Sequence, residues 1–547
     1  MEVDGCDREL ELDQACVTFN VRNNYSLYSL TSDCNLCPFT KLTQLVQSNT
    51  SFIFNSFKTW NWRFFNGTDL DDVLGTDGTE GLVCELRPDL GQFGVYQVFP
   101  EKCELEITKR PSNPYTPLFI ICGALVLSLM IIALLKTTVT YYLSKKRSAI
   151  SEEPPKPLTR RIQSIDSFRG LSIVMMIFVN NGAGGYPELG HATWNGLLVA
   201  DLIFPCFIWI MGVCIPLSLS SSLSRDVHRV KLVLSILQRS FLLFLIGVSL
   251  NTLGTDADLA TIRIFGVLQR FGVAYLVVGL VYTLMSRRRD LTFQRGIFQF
   301  FTDFILLIPQ WIFYITLLVV YFGIIFHLDI PGCPSGYFGP GGLHDNQKFQ
   351  NCTGGALGLL DKKILTPEHL YQSPAINDVY QSGPFDPEGL IGCLPTIFQT
   401  FLGVQAGKIL RVYKDWRSRV ARWMTLALIY ALIGSVLHFN NIIPVNKNLW
   451  SISFVLVTTS FALTVFSIFY ILIDVIKLWD GSPFRVPGMN ALVMYVGHHI
   501  CYQIFPFHWK YGNMNYHGWR TITAMWDTGL WVVVAYILHY KKIYITL

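Results

Sequence analysis

One histidine sits in a polar, glycine-rich connection between two runs apolar enough to cross a membrane. The connection reads Asn180-Asn181-Gly182-Ala183-Gly184-Gly185-Tyr186-Pro187-Glu188-Leu189-Gly190-His191-Ala192-Thr193-Trp194-Asn195-Gly196. An imidazole and several amides at that depth cost free energy unless they are partnered, which makes them functional candidates by default. His191 suits a general base or a nucleophile oriented by Asn180, Asn181 and Asn195, with Asp201 opening the next helix. Gly182, Gly184 and Gly185 permit positive φ and close ligand approach. A hydrogen-bonded histidine packed at a helix boundary would use the same residues, and the residue types leave both readings open.

Other polar groups lie inside apolar runs. Arg169 stands at one mouth of the second run, Gln238-Arg239 about two turns inside the fourth, and Gln269-Arg270 inside the fifth. Buried guanidinium groups need anions and match phosphate or carboxylate geometry. A polyanionic ligand entering between helices would suit Arg239 best; for Arg169 and Arg270, pairing with Asp166 or Asp201 is the competing reading. Asn490 and His498-His499 fall in the tenth run, where His498 is nearer to the helical stripe of Asn490. Structural hydrogen bonding is the favoured role for either histidine. The segment from His508-Trp509-Lys510-Tyr511 to Tyr516-His517-Gly518-Trp519-Arg520 could stack a sugar and neutralise sulfate, although interfacial aromatic belts share that composition. Tyr544-Ile545-Thr546-Leu547 fits a tyrosine-based sorting pattern. There is no P-loop, GxSxG elbow, HExxH or credible metal cluster, so any cosubstrate is expected to be recognised by the helices themselves.

The elements that position these residues follow from composition. The 547 residues are 51% hydrophobic and only 15% charged, with a mean hydropathy of +0.38, against roughly a quarter charged in soluble proteins. Eleven spans are predicted near 115–136, 169–183, 196–219, 232–252, 264–285, 303–326, 389–410, 423–440, 450–474, 487–506 and 522–540. Segments on one side of the membrane carry about 24 Lys and Arg and those on the other about seven, which predicts a luminal N-terminus and a cytosolic C-terminus. The net charge of +5 is spread over loops and points to no nucleic acid.

Residues 1–114 read differently. Six cysteines (Cys6, Cys16, Cys34, Cys37, Cys84, Cys103), sequons at Asn24, Asn49 and Asn66, and alternating patches such as Gly94–Phe99 predict a β-rich, disulfide-containing, glycosylated luminal domain. Asn351 is a fourth sequon in a predicted luminal loop, where Cys333 and Cys352 could pair. Met1-Glu2-Val3-Asp4 shows no signal-peptide pattern, so either the mature chain begins here or export relies on the first span. The organisation expected is a luminal domain over 1–114, a first helix over 115–136, a cytosolic linker over 137–168 with Pro154-Pro155-Lys156-Pro157, and a ten-helix bundle over 169–547.

Several blocks resemble the heparan-α-glucosaminide N-acetyltransferase family. They are Arg161–Gly170, Phe178-Val179-Asn180, His191-Ala192-Thr193-Trp194-Asn195-Gly196, Val199–Pro205, Gly266–Gly272 and Pro487–Leu492, in order through the membrane region. The resemblance implies a homodimeric lysosomal membrane enzyme, surrounded by lipid, without a metal. Such an enzyme takes acetyl from cytosolic acetyl-CoA and delivers it to the terminal non-reducing glucosamine of heparan sulfate in the lumen. It implies His191 as the catalytic residue, with Asn180 beside it. Asn181, Asn195, Asp201, Arg239, Gln269, Arg270, Asn490 and His498 are then candidates for binding substrate or cosubstrate. This chain departs from the family at Asn181 and at Pro187-Glu188-Leu189-Gly190, where more aromatic and basic residues are expected. The expected chemistry has His191 as base or transient acetyl carrier and Asn180 polarising the carbonyl. An ordinary imidazole titrates near about 6.5, so activity is expected to rise as luminal pH rises through that value. A solute transporter using His191 as a proton or substrate site, or an acyltransferase with another luminal acceptor, are the alternatives.

Overall fold

The computed structural model describes residues 6, 9–46, 49–66, 72–74, 81–147, 161–253, 257–287, 301–502, 504, 507, 509–512 and 514–545. The Pro154–Pro157 linker and His508 lie outside the described residues.

The N-terminal strands form two sheets. β1 (Gln14–Asn20), β4 (Asn49–Asn55), β8 (Val95–Phe99) and β9 (Glu104–Lys109) make one, in the order β4-β1-β8-β9. β2 (Tyr25–Thr31), β3 (Phe39–Leu45), β5 (Trp60–Asn66), β6 (Val73–Leu74) and β7 (Leu82–Leu86) make the other, in the order β6-β3-β2-β5-β7. β1 runs antiparallel to β4 and parallel to β8. Aromatic inward residues fill the space between the sheets: Phe19, Phe54, Trp62 and Phe64 pack with ring centroids 4.7–6.2 Å apart, a geometry worth more than area alone. Disulfides join Cys6 to Cys16, Cys34 to Cys37, Cys84 to Cys103 and, in a distant loop, Cys333 to Cys352. The side chains of Asn24, Asn66 and Asn351 are exposed.

Eight helices among the described residues are long and apolar enough to cross a membrane. They are α1 (Thr116–Arg147), α3 (Val199–Ser224), α4 (Arg229–Asn251), α5 (Val267–Met285), α6 (Ile308–His327), α9 (Trp416–Phe439), α10 (Ile452–Phe469, continued by a wider turn to Val475) and α12 (His517–Tyr540). α2 (Gln163–Asn180), α8 (Cys393–Val412) and α11 (Ala491–Ile500) occupy the remaining predicted positions, and α7 (Gly355–Leu365) lies in the long 328–392 loop. The chain is a polytopic α-helical membrane protein with a β-rich N-terminal domain.

Boundaries move for local reasons. α2 starts six residues before its predicted span because the Asp474 carboxylate, from the end of α10, accepts the free N–H groups of Gln163 and Ser164 at 3.1 Å. The tenth span is broken: a short turn Arg485–Met489 ends at Asn490, whose φ of −122° leaves the helix, before α11 resumes.

Small residues set the closest helix contacts. A Cβ on Gly212 of α3 would fall on the Thr400 carbonyl, and one on Gly403 or Gly407 of α8 on the Trp209 or Val213 carbonyl. Without a hydrophobic driving force between helices in lipid, such close backbone packing is the main source of association. The β-sandwich rests on the 328–392 loop and on the His191 turn. Leu36 accepts from the Asn346 N–H at 3.1 Å, Tyr380 donates to the Asp33 carbonyl at 3.1 Å, and His517 meets Asp13 at 2.6 Å. These elements share one face. Arg161, Asn490 and the C-terminal segment 543–545 gather on the other.

Two outcomes follow from this packing. Gly403→Ala is expected to lower the thermal midpoint in detergent, overpacking costing about 1–3 kcal/mol, whereas Gly529→Ala, where a Cβ meets nothing within 4 Å, leaves it unchanged. Equal midpoints would refute the close α3–α8 approach. In α7, burial pushes the Asp361 carboxyl up to about 7, despite the Ile391 N–H it accepts. A carboxyl raised in the folded state stabilises the fold fully below its unfolded value of about 3.9 and loses that contribution as pH rises through about 7. Asp361→Asn should therefore flatten the fall in thermal midpoint between about pH 4 and about pH 7; an unchanged slope would place that dependence elsewhere.

Candidate active site

The connection after α2 turns on left-handed residues. Gly182, Gly184 and Gly185 have φ of 87°, 76° and 81°. At Gly184 a Cβ would strike Thr521 Oγ1, and at Gly185 it would meet Leu12 and His517. The turn is therefore packed between the sandwich and α12.

Asp201, the third residue of α3, organises the next stretch. It has no exposed surface, and its carboxylate accepts from the N–H groups of Leu198 and Ala192, both at 3.0 Å, and from His191 Nδ1 at 2.8 Å. An acidic residue there reaches back to the N-cap N–H and sits at the positive end of the helix dipole. Since the carboxylate only accepts, Nδ1 carries the hydrogen and Nε2 keeps a lone pair. The His191 side chain is 47% exposed, so that lone pair is reachable.

Lys447 completes the cluster. Its Nζ lies 3.0 Å from His191 Nδ1, 3.3 Å from Nε2 and 3.7 Å from Asp201 Oδ1. Burial pulls its ammonium below the ordinary lysine value, against the opposing pull of Glu388 and Asp201. Burial raises Glu388 too, but Arg263, 2.7 Å away, wins and holds that carboxyl below the usual range. The Asn195 Oδ1 accepts from buried Asn446 at 3.0 Å, beside the Gly196 N–H to Val445 carbonyl bond of 2.9 Å. These contacts bring the Lys447 loop against the His191 loop.

Asn180 stands apart from His191. Its Nδ2 is 2.9 Å from His498 Nε2, while His498 Nδ1 is 2.9 Å from the Met494 carbonyl. The carbonyl fixes the tautomer: Nδ1 donates, so Nε2 accepts from Asn180, whose second N–H and oxygen have no hydrogen-bond partner among the described residues. Among the described residues no hydrogen bond joins the Asn180 and His191 side chains.

Asn180 lines one of two cavities. An apolar groove of about 210 Å³ runs between α2, α3, α4, α5 and α11, with Arg169, Arg239, Val267 and Tyr495 among its lining residues. A wider, more polar chamber of about 1100 Å³ is lined by Asn180, Asn181, Trp509, Lys510, Arg520 and Asp527 among others. Asn180 lines the chamber, and Tyr495, three residues before His498 on α11, lines the groove. His191 lines neither.

The remaining predicted residues are distributed as follows. Arg239 stacks over Tyr275 at 4.6 Å with its guanidinium in the groove. Arg169 donates to the Gly488 carbonyl at 3.3 Å and stands 4.0 Å from Asp166. Arg270 is buried, donates to the Pro387 and Gly389 carbonyls at 3.1 Å and lies over Trp450. Gln269 donates to the Ile264 carbonyl at 3.0 Å. Asn490 pins the C-terminal segment, donating to the Ile543 carbonyl and accepting from the Ile545 N–H. Sequence reasoning missed Lys447, and it read His517 only as part of an aromatic segment. Lys447 is the one cation in the connection between α9 and α10, a signal that could have singled it out.

Comparison with known proteins gives a consistent picture. Residues 161–305 match the family model described as heparan-alpha-glucosaminide N-acetyltransferase, catalytic. The chain is 35% identical over 593 aligned positions to the mouse protein named heparan-alpha-glucosaminide N-acetyltransferase, covering 98% of this chain and 89% of that one. It is also 35% identical over 597 positions to the human protein of that name, covering 98% and 88%. The chain belongs to the heparan-α-glucosaminide N-acetyltransferase family.

Proposed function

We propose that this protein is a transmembrane acetyltransferase that moves acetyl from cytosolic acetyl-CoA to the terminal non-reducing glucosamine of heparan sulfate, in the lysosomal membrane and as a homodimer. The single observation that carries the reading is identity of 35% sustained through 98% of the chain. A groove between the helices and a polar chamber lined by Asn180 support it, because a membrane-impermeant donor and a luminal sugar can meet only inside the bundle. The β-sandwich face is then luminal and the Arg169 face cytosolic.

The groove fits the donor chemically: two guanidinium groups for phosphates and an otherwise apolar lining for an extended arm. Arg239 and Arg169 would hold acetyl-CoA, which supplies an acetyl group activated as a thioester. Asn180, its amide oriented by His498, can donate its second N–H to a carbonyl oxygen and stabilise developing negative charge. Asp201 holds the Nδ1–H of His191, which lies outside both cavities, and leaves Nε2 free. Nε2 can take the proton from the sugar's ammonium, so that the free amine displaces CoA thiolate from the acetyl carbon, or itself displace the thiolate and carry the acetyl to the amine. Asp201 also stabilises the imidazolium so formed, while the neighbouring Lys447 charge favours its return to the neutral base. Trp509, Lys510 and Arg520 in the chamber suit a sulfated sugar.

The purified protein, given acetyl-CoA and a chromogenic β-glucosaminide, should N-acetylate the sugar. His191→Ala should lose at least about a hundredfold in kcat, and Asp201→Asn about a hundred- to ten-thousand-fold through the wrong tautomer. Arg239→Ala should raise KM for acetyl-CoA about tenfold with kcat little changed. Wild-type inactivity, or full activity in His191→Ala, would overturn the assignment.

A further inference from the structure

A single buried imidazole ties the β-sandwich to the turn that carries His191. His517, the first residue of α12, has no exposed surface. Its Nδ1 lies 2.9 Å from the Gly184 carbonyl oxygen, and its Nε2 lies 2.6 Å from Oδ1 of Asp13, just before β1. Tyr186 stacks on the ring with centroids 4.5 Å apart, and Phe57 of the sandwich closes its edge at 5.6 Å.

The hydrogen count decides what this contact requires. A carbonyl only accepts, so Nδ1 must carry a hydrogen. A neutral imidazole then presents a bare lone pair at Nε2, opposite a carboxylate oxygen that also only accepts. A contact of 2.6 Å closes as a hydrogen bond only when the pair holds one further proton, on Nε2 or on Asp13.

The other groups packed around the ring do not supply that proton. From the turn, Tyr186 faces it, its hydroxyl raised by burial and donating to the Pro114 carbonyl at 3.0 Å. Tyr115, at the head of α1, stacks beyond Tyr186; burial and Glu188 push its hydroxyl up to about 12, and it donates to Glu188 at 2.5 Å. On α12 itself, Arg520 donates to Asn515 at 3.0 Å, and Tyr516 precedes the histidine. Asp13 is the acidic group that reaches the ring from the sandwich.

We propose that His517 and Asp13 form a proton-dependent latch by which the β-sandwich holds the His191 turn, closed at acid pH and losing one hydrogen bond as the shared proton leaves. His517 is a positioning residue: it touches the Gly184 carbonyl, in the turn between Asn180 and His191. The sandwich then serves as part of the active-site scaffold. Only the effect of the latch on turnover rests on the function proposed above.

Hydrogen exchange of residues 182–190 in the full-length protein tests this, at about pH 5 and about pH 7.5, with intrinsic rates corrected. Wild-type protection should fall about fivefold at the higher pH, the loss of one hydrogen bond. Asp13→Asn should be equally protected at both, because its amide can donate to a neutral Nε2. His517→Phe, which keeps the stack on Tyr186, should be weakly protected at both. Wild-type protection independent of pH, or a fall in Asp13→Asn equal to that in wild type, would overturn the latch. In the N-acetylation assay, a high-pH decline in wild type should be absent from Asp13→Asn. Turnover absent throughout, with the exchange pattern intact, would remove the assigned reaction and leave the latch standing.

Discussion

A carboxylate without exposed surface at the membrane boundary is the constraint from which the rest of the site follows. Stripped of partners, an ionised Asp201 would cost several kcal/mol. Its oxygens are met by two backbone N–H groups, an imidazole N–H and a nearby ammonium. Each partner fixes something else. The Leu198 N–H sets the start of α3, and the Ala192 N–H bends the chain back over the helix end. The imidazole acquires one tautomer, and the ammonium draws in a loop from between α9 and α10. Hydrogen bonds from Asn446 to Asn195 and from Gly196 to Val445 then hold that loop in register.

The bundle faces a second problem, admitting a polar cosubstrate without opening a water-filled channel. The groove is lined largely by Ile, Met, Phe and Leu side chains, with the guanidinium groups of Arg169 and Arg239 among them. The chamber on the other side is polar and wide. Asn180, at the end of α2, donates to His498 of α11, and the Met494 carbonyl accepts the remaining imidazole hydrogen. Glycines 212, 403 and 407 let α3 and α8 touch through their backbones, which makes that helix pair a rigid wall behind the groove.

Much of this was legible from short-range pattern. Apolar length located the helices, and cysteine and strand alternation located the β-rich domain. Glycine spacing located the left-handed turn, and an acidic residue in a first helical turn is a cap by type. Contacts between distant parts of the chain were not legible. Lys447 lies 256 residues from His191 and His517 lies 504 from Asp13, and no periodicity links them. The same limit explains Asn490: a buried asparagine in an apolar run reads as a ligand-binding group, but its amide is taken up by the backbone of the C-terminal segment. It explains Arg270 as well, whose anion partner is replaced by two loop carbonyls and the face of Trp450.

The stretch Pro187–Gly190 has a use that its composition hides. Glu188 accepts from Tyr115 at the root of α1, and the Gly190 carbonyl accepts from the Ala200 N–H at 3.3 Å, at the start of α3. Tyr186, one residue earlier, donates to Pro114 and stacks on His517. These residues therefore spend their polar groups on the junction between sandwich, first helix and last helix. A turn engaged in that way has little left with which to read a sugar. On the proposed function, recognition of the acceptor passes to the opposite wall of the chamber, where Trp509, Lys510 and Arg520 offer a stacking face and two cations. Positioning and recognition would then lie on separate elements, so the turn can be held rigidly without constraining which sugar the chamber accepts.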